Sequence, residues 1–344
     1  MLSLALCIGH SLKIFDALAV VATEEKPATA RIVAEKADLK ERYVKEWLCC
    51  VACGGIIEIH EDGERFWIKK ENIPLLTGPN TCYFLTSLDV IRYLAGKTED
   101  IKKLFRRSGP LGRDLNDFSK FQKYFGAYSQ AKYREHLISD FLSLSGAKEK
   151  LENGSIKVLD IGCGSGFQIT LCAKNFPTSS FTGIDISREA IEIAQQRLSE
   201  HKLENLRFFL MDARELPVEW TNRYDWIMLF DSLHEHVRPD LCLKEIRRVL
   251  KRNGLLTVVD VNGTSNAFLD KKVFPSRSTF TYGLSLFTCL PYGSNAPDAL
   301  RLGAMWGQQR AMELFHECGF NNVKVIPVEF FKENLLYVCK NEKA

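Results

Sequence analysis

Apolar positions in the first eighty residues fall at helical spacing three times and then switch to alternation. Leu12, Ile14, Phe15, Leu18 and Val21 mark a first helix that continues the apolar run beginning at Leu2. A second helix is predicted over 28–36 and a third over 39–53, with Tyr43, Val44, Trp47, Leu48 and Val51 on one face and Gly54-Gly55 as the stop. Residues 56–59 and 65–68 then alternate around the turn-rich His60–Glu64, which predicts a hairpin. Three helices and a hairpin over 1–80 are the layout of a winged-helix domain. From 81 to 150 the pattern is helical and amphipathic, carrying an aromatic stripe of Phe118, Phe121, Tyr124, Phe125, Tyr128 and Tyr133 that is expected to be core or interface within a linker or pocket-lining region.

After Asn153-Gly154 strands and helices alternate, the signature of a parallel sheet covered on both faces. Strands are expected over 156–161, 180–185, 206–210, 225–230, 255–261, 323–328 and 335–339, and helices over 167–174, 189–201, 240–251 and 308–318. A short turn joins the last two strands, so the final one is expected to run antiparallel. The fold class is therefore α/β: a doubly wound seven-stranded sheet over 151–344, preceded by the α-helical winged-helix domain. Between 263 and 304 the pattern dissolves into Gly, Pro, Ser and aromatic residues, which is expected to be a long lid or binding loop. Phe280, Tyr282, Phe287, Tyr292, Trp306 and Gln309 are its candidates for lining an acceptor pocket.

The first predicted strand of the sheet ends at Asp160 and leads into Gly162-Cys163-Gly164-Ser165-Gly166 before a helix. A loop with so few side chains lets a ligand touch the backbone. The spacing G-x-G-x-G differs from the dinucleotide pattern G-x-G-x-x-G, and position 167 is Phe, which argues against a nicotinamide-dependent oxidoreductase. Asp185 ends the second strand 25 residues after Asp160, where a carboxylate accepts both hydroxyls of a ribose. Beyond the third strand, Asp212 can accept an adenine amino group while Met211 or Ile186 packs on the ring; Phe230-Asp231 ends the fourth strand beside the same crevice. The alternative for Asp185 and Asp212 is that they cap turns and helices.

This arrangement resembles the seven-stranded S-adenosylmethionine-dependent methyltransferases over about 155–341. The resemblance implies S-adenosyl-L-methionine as cofactor, with Asp160, Gly162, Cys163, Gly164 and Gly166 near its methionine moiety, Asp185 on the ribose, and Ile186, Met211, Asp212 and Ala213 around the adenine. Phe230 and Asp231 complete that set. Asn253-Gly254 stands where the family commonly reads Pro-Gly, a turn variant. The whole chain resembles the subgroup that carries an N-terminal winged helix, at Glu41–Leu48 and near Trp306-Gly307-Gln308.

Methyl transfer from a sulfonium needs alignment, exclusion of water and, for oxygen or nitrogen acceptors, a base. His234, Glu235 and His236 follow the fourth strand and face the place of transfer. His234 is the first candidate for that base, because imidazole titrates near neutral pH. A metal is not expected: neighbouring side chains in a turn point apart and no third, distant ligand is evident. Cys50-x-x-Cys53 has zinc-knuckle or redox spacing, yet without a second pair it is expected to be two buried structural thiols.

Composition narrows the partners. Lys and Arg number 46 against 43 Asp and Glu, so no strong field holds a polyanion, and the candidate recognition segment 31–46 carries five basic against four acidic residues. A small-molecule acceptor is expected rather than nucleic acid; the alternative is a winged-helix DNA-binding regulator that senses the cofactor or a metabolite. No basic n-region precedes the N-terminal apolar run and no stretch approaches a bilayer span, so membrane partners are not expected. The 11 cysteines lack framework spacing, which fits a reducing, cytoplasmic setting. The N-terminal domain is expected to serve in homodimerisation or pocket closure.

Overall fold

The computed structural model describes residues 1–78, 90–114, 126, 129–130 and 132–342. Of the predicted aromatic stripe, Phe118, Phe121, Tyr124, Phe125 and Tyr128 lie outside the described residues. The chain divides into one compact unit of 1–97 and 120–132 and another of 98–119 and 133–344.

In the first unit the longer helices are Leu2–Ser11, Ile14–Val21, Ala30–Ala37 and Glu41–Cys53. The expected single first helix is two, because Lys13 adopts the left-handed conformation (φ 55°) and bends the axis by 74°. A three-stranded antiparallel sheet follows the order β1 (Ala28–Thr29), β3 (Arg65–Trp67), β2 (Glu58–Ile59). Trp47 explains the close approach of the helices. Its ring packs edge-on against Phe15 at 4.8 Å, and its indole N–H donates to the Ala5 carbonyl at 2.6 Å. A Cβ at Gly9 would stand 2.1 Å from that ring, so only glycine fits there. Two expectations fail here. Tyr43 is 76% exposed rather than on the inner face with Val44, Trp47, Leu48 and Val51, and Cys50 and Cys53 are exposed rather than buried. Both thiols sit on the side of the helix away from Phe15 and Leu18, where its polar residues are. Among the described residues no single helix is long and apolar enough to cross a membrane, although the bent pair Leu2–Ser11 and Ile14–Val21 together has the length and composition.

The second unit is built on seven strands: β4 (Lys157–Ile161), β5 (Ser180–Asp185), β6 (Leu206–Leu210), β7 (Tyr224–Phe230), β8 (Leu250–Val261), β9 (Val323–Pro327) and β10 (Asn334–Lys340). Their spatial order is β6-β5-β4-β7-β8-β10-β9. The first five are parallel, and β10 lies antiparallel between β8 and β9. Strand periodicity sorts β7 cleanly. Ile227 and Leu229 enter one core with the helices Pro239–Val249 and Gly307–Glu317, whereas Trp226, Met228 and Phe230 enter the other with Phe167–Asn175 and Arg188–His201. Every one of these β7 side chains is buried, each contributing about 1.5–3 kcal/mol of transfer free energy. The sheet is doubly wound with its late strand antiparallel, as expected. β8 starts earlier than its apolar run because Leu250 already pairs with Tyr224; the irregularity that follows contains Asn253 in a left-handed conformation (φ 59°), and a Cβ at Gly254 would press on Leu250.

The segment 263–304 is not the irregular loop its composition implies. It forms the helices Ala267–Val273, Pro275–Phe287 and Cys289–Gly293. Asp270, fully buried, holds the first two together by accepting from the Thr264 N–H and hydroxyl, both at 2.8 Å, and from the Tyr282 hydroxyl at 2.8 Å. Ser and Thr side chains that read as loop formers satisfy backbone groups instead.

Candidate active site

The parallel strands β4, β5 and β7 end side by side, and the turns that follow them carry the candidate residues. Gly162, Gly164 and Gly166 all have positive φ (69°, 53° and 72°), so the loop after β4 needs the conformations that glycine takes without strain. Protein backs two of them: a Cβ at Gly162 would meet Ser232, and one at Gly166 would meet Phe208. Gly164 has no atom within 4 Å of that position and is open. Both Gly162 and Cys163 donate their N–H to the Ile184 carbonyl, which lays the loop across the end of β5.

Asp185 fastens the arrangement. One carboxylate oxygen accepts from the Gly164 N–H and the other from the Ser187 N–H, each at 2.8 Å. Ser187 in turn caps the next helix, its hydroxyl accepting from the Ala190 N–H. Asp185 is thus a turn-organising residue; the Ile186 N–H also reaches its carboxylate, and part of its acceptor capacity is left for a ligand. Asp160 is 1% exposed and its Oδ1 has no hydrogen-bond partner in the protein; burial, with the nearby Asp185 charge, pushes its pKa well up. A buried carboxylate oxygen without a partner, beside an open glycine, is what a donor group of a bound ligand would satisfy. The residues present therefore fit a polar, nucleotide-like cofactor.

The remaining cofactor candidates lie along the same edge. Ile186 is 60% exposed beside Asp185, and the Met211 N–H donates to the Asp185 carbonyl at 2.9 Å. Ala213 is buried in the core. Asp212 is already engaged: the Arg214 guanidinium grips it through Nε and Nη2 and the Arg214 N–H also donates to it, which keeps its pKa low despite burial. Cys163 is buried, with its thiol pKa driven well up by burial, and so is an inert small side chain. Phe230 packs edge-on against Tyr133 at 4.8 Å, and Tyr133 itself is fully buried. Asp231 takes a left-handed backbone (φ 51°), its carboxylate accepting from the Tyr133 hydroxyl at 3.3 Å and from the Asn334 amide.

The turn Leu233–Glu235 presents the acid–base candidates. His234 is 3% exposed, and its Nδ1 lies 2.6 Å from Asp260 Oδ1, itself fully buried on β8. Burial alone would lower the histidine's pKa; the Asp260 carboxylate overrides it, and the net direction is well above the ordinary value. Val261 N–H donates to the same Asp260 oxygen at 2.7 Å, which fixes the acid in place. Glu235 has its pKa raised by burial, opposed by His234. His236 is pushed down to about 4 by burial, so it is neutral across the physiological range. Sequence reasoning missed Asp260, although an acid inside the apolar run of β8 was a signal. It also missed Cys289, which sits beside His234 and Glu235 on the helix packed against their turn and which no local pattern singles out. Of the lid candidates, Tyr292 and Trp306 are buried, Phe280 and Tyr282 are exposed, and Gln309 is exposed and turned to Glu313.

Known proteins agree with this architecture. Residues 152–330 match the family model described as Methyltransferase domain, and residues 1–78 match one described as Rv2258c-like winged HTH domain. A fatty-acid O-methyltransferase of Mycolicibacterium smegmatis is 32% identical over 104 residues, 30% of this chain and 36% of that protein, so the match spans about a third of that relative's length. A demethylmenaquinone methyltransferase of Staphylococcus aureus is 29% identical over 173 residues, 49% of this chain and 69% of that protein. Solved structures share the fold across nearly the whole chain. An O-methyltransferase family protein from Burkholderia thailandensis has a TM-score of 0.67 at 15% identity, covering 99% of this chain and 95% of that one. Human N-acetylserotonin methyltransferase, in complex with S-adenosylmethionine, has 0.65 at 18% identity, covering 100% and 94%.

Proposed function

The chain belongs to the methyltransferase-domain family, whose model matches more than half of its length, and from that premise we propose that it moves the methyl group of S-adenosylmethionine onto a small organic acceptor by in-line displacement. The observation that carries the reading is the joint made by Asp185: its carboxylate binds the open glycine of the loop after β4 at 2.8 Å and keeps acceptor capacity for the ribose at the same strand edge. S-adenosylmethionine supplies an electrophilic sulfonium methyl whose leaving thioether needs no proton.

Within that proposal Asp160, Gly162, Cys163, Gly164 and Gly166 surround the methionine portion, Asp185 accepts from the ribose, and Ile186, Met211, Asp212 and Ala213 hold the adenine. Asp212 shares its oxygens between Arg214 and the adenine amino group. Phe230 and Asp231 wall the crevice. His234 takes the acceptor proton at Nε2 while Asp260 holds the proton on Nδ1 and stabilises the imidazolium that forms, leaving Glu235 and His236 as flanking groups. The acceptor is of apolar character, as the exposed Phe268, Leu269, Val273 and Phe280 of the lid helices favour and as the fatty-acid and demethylmenaquinone relatives parallel.

The same proposal assigns 1–80 to the winged-helix domain, 81–150 to a helical linker or pocket-lining region and 151–344 to catalysis. It makes the protein a homodimer through the N-terminal unit, where Leu4, Ile8 and Leu12 form an exposed apolar row at helical spacing. A small molecule rather than nucleic acid is the expected partner, a reading supported by the ion pairs of Arg31, Arg42 and Lys45 with Glu35, Glu46 and Glu64. Cytoplasmic residence is supported by free thiols at every described cysteine. Incubating the protein with methyl-labelled cofactor and panels of thiols, phenols, amines and carboxylates, read by mass spectrometry, is expected to give a labelled product from one panel; failure of the protein to bind the cofactor in calorimetry would overturn the proposal.

A further inference from the structure

Among the described residues, one group of His, Cys and acidic side chains brings its donor atoms together: His234, Glu235 and Cys289, all within 4.8 Å of one another. Two elements far apart in sequence build it. The turn Leu233–Glu235 supplies the first two, and the helix Cys289–Gly293 packs on that turn so closely that a Cβ at Gly293 would lie 3.5 Å from the His234 and Glu235 carbonyls. We propose that these three side chains form a binding site for a thiophilic divalent cation of the zinc class, and that the bound cation silences methyl transfer.

The donor set is one nitrogen, one sulfur and one carboxylate, the mixture that borderline-soft Zn²⁺ takes in sites with an open fourth position. Tetrahedral bonds of about 2.0–2.3 Å place donors roughly 3.3–3.8 Å apart, so closing the site takes side-chain shifts of about 1 Å. The outer partner is already present. His234 Nδ1 is held by Asp260 at 2.6 Å, which leaves Nε2 as the coordinating nitrogen and makes the carboxylate–histidine–metal chain that orients such ligands. Zn²⁺ offsets the Glu235 carboxylate and the Cys289 thiolate, and the Asp260 carboxylate that remains keeps the His234 Nδ1–H and the Val261 N–H as donors. Cys289 is buried and its pKa lies above the ordinary value, so without a cation it is a thiol. Coordination forms the S–Zn bond as the thiol proton leaves to solvent, and the Nε2 proton of an imidazolium leaves the same way. No electron transfer is involved.

Nε2 is the nitrogen that the acceptor proton requires. A cation there and a base there exclude one another, so occupancy stops catalysis without touching the cofactor contacts at Asp160 and Asp185. This inhibitory consequence rests on His234 being the base; the binding site itself does not.

Cobalt reports the two parts separately. Metal-stripped full-length protein titrated with Co²⁺ is expected to take up one equivalent, with a thiolate-to-cobalt charge-transfer band that Zn²⁺ erases by displacement. Cys289→Ser is expected to lose that band, Glu235→Gln to weaken cobalt binding, and Cys53→Ser to keep the full signal; circular dichroism verifies that each variant is folded. Asp260→Asn, acting through His234, is expected to weaken binding by about 10–100-fold. A protein without the band, or a band that survives Cys289→Ser and disappears in Cys53→Ser, overturns the site. Zn²⁺ is then expected to reduce turnover with reversal by chelator, and undiminished turnover at saturating Zn²⁺ overturns the inhibition. Because the cobalt spectrum needs no methyl acceptor, a protein found to transfer no methyl group still tests the site.

Discussion

At position 164 a side chain would point into open space rather than into protein, and that single fact separates a binding defect from a folding defect. Gly164→Val costs on the order of 1–2 kcal/mol for the left-handed backbone (φ 53°), too little to unfold a domain of this size, while filling the space the cofactor is proposed to use. Calorimetry is expected to show no cofactor binding by a variant with an unchanged circular dichroism spectrum; normal binding would remove the loop from the site. Asp185→Ala is expected to weaken binding by about 1–3 kcal/mol through the ribose hydroxyls it leaves unpaired. Because Asp185 also holds Gly164 and Ser187, Asp185→Asn is the cleaner variant: it keeps an oxygen for one backbone partner and is expected to lose less.

Between elements, the important junction is the one from the turn after β7 to β8. His234→Ala is expected to depress turnover by roughly 10²–10⁴, with an unaffected rate returning the residue to a structural role. The pair with Asp260 sets the pH response. A histidine whose pKa is raised in the folded state holds its proton to higher pH than a free imidazole, so turnover that needs the free base rises with pH through that raised value. In the same range the pair's contribution to stability, complete below the ordinary histidine pKa, is lost. Asp260→Asn is expected to move the acid limb of the turnover profile to lower pH while reducing its plateau, and a limb that stays in place would mean that Asp260 does not face the titrating group. How much of this was readable in advance depended on the range of the signal. The strand over 225–230 and the glycine loop are local signals, and both appear where the pattern puts them. Asp260 is separated from His234 by 26 positions and Cys289 from it by 55, so their meeting is a property of strand order and of a lid helix that composition disguised. Gly283 and the Ser and Thr residues of that lid weigh against helix in isolation, whereas Pro275 opens its helix at the first position, where proline fits; buried hydrogen bonds such as Ala304 N–H to the Ser285 hydroxyl at 2.9 Å outweigh the propensity.

For the molecule as a whole, we propose that the N-terminal unit meets protein rather than nucleic acid, on the strength of the exposed Leu4, Ile8 and Leu12 and of the ion pairs made by Arg31, Arg42 and Lys45. Leu4→Glu with Ile8→Glu is expected to convert a dimer to a monomer in light scattering, and a mass that does not change would exclude this face. Reversing the charges of Lys40, Arg42 and Lys45 is expected to leave any affinity for duplex DNA at its weak, salt-sensitive background in a gel-shift series. The Cys50 and Cys53 expectation failed at this scale too, since the polar side of a helix is defined by what packs against the other side, and spacing alone does not contain that information.

The position of β10 has a temporal meaning. Among the described residues β9 pairs with no other strand than β10, and β8 has its second neighbour in β10, with Asp260 opposite Leu335. A ribosome delivers β9 first, and it must wait without a partner while β8 shows a bare edge. The acid that tunes His234 therefore lies on a strand completed last, and proton-transfer competence is expected to arrive as the final event of folding. A chain interrupted before Asn334 would retain the cofactor edge formed by β4, β5 and β6 and yet lack a finished base, a species that binds without turning over.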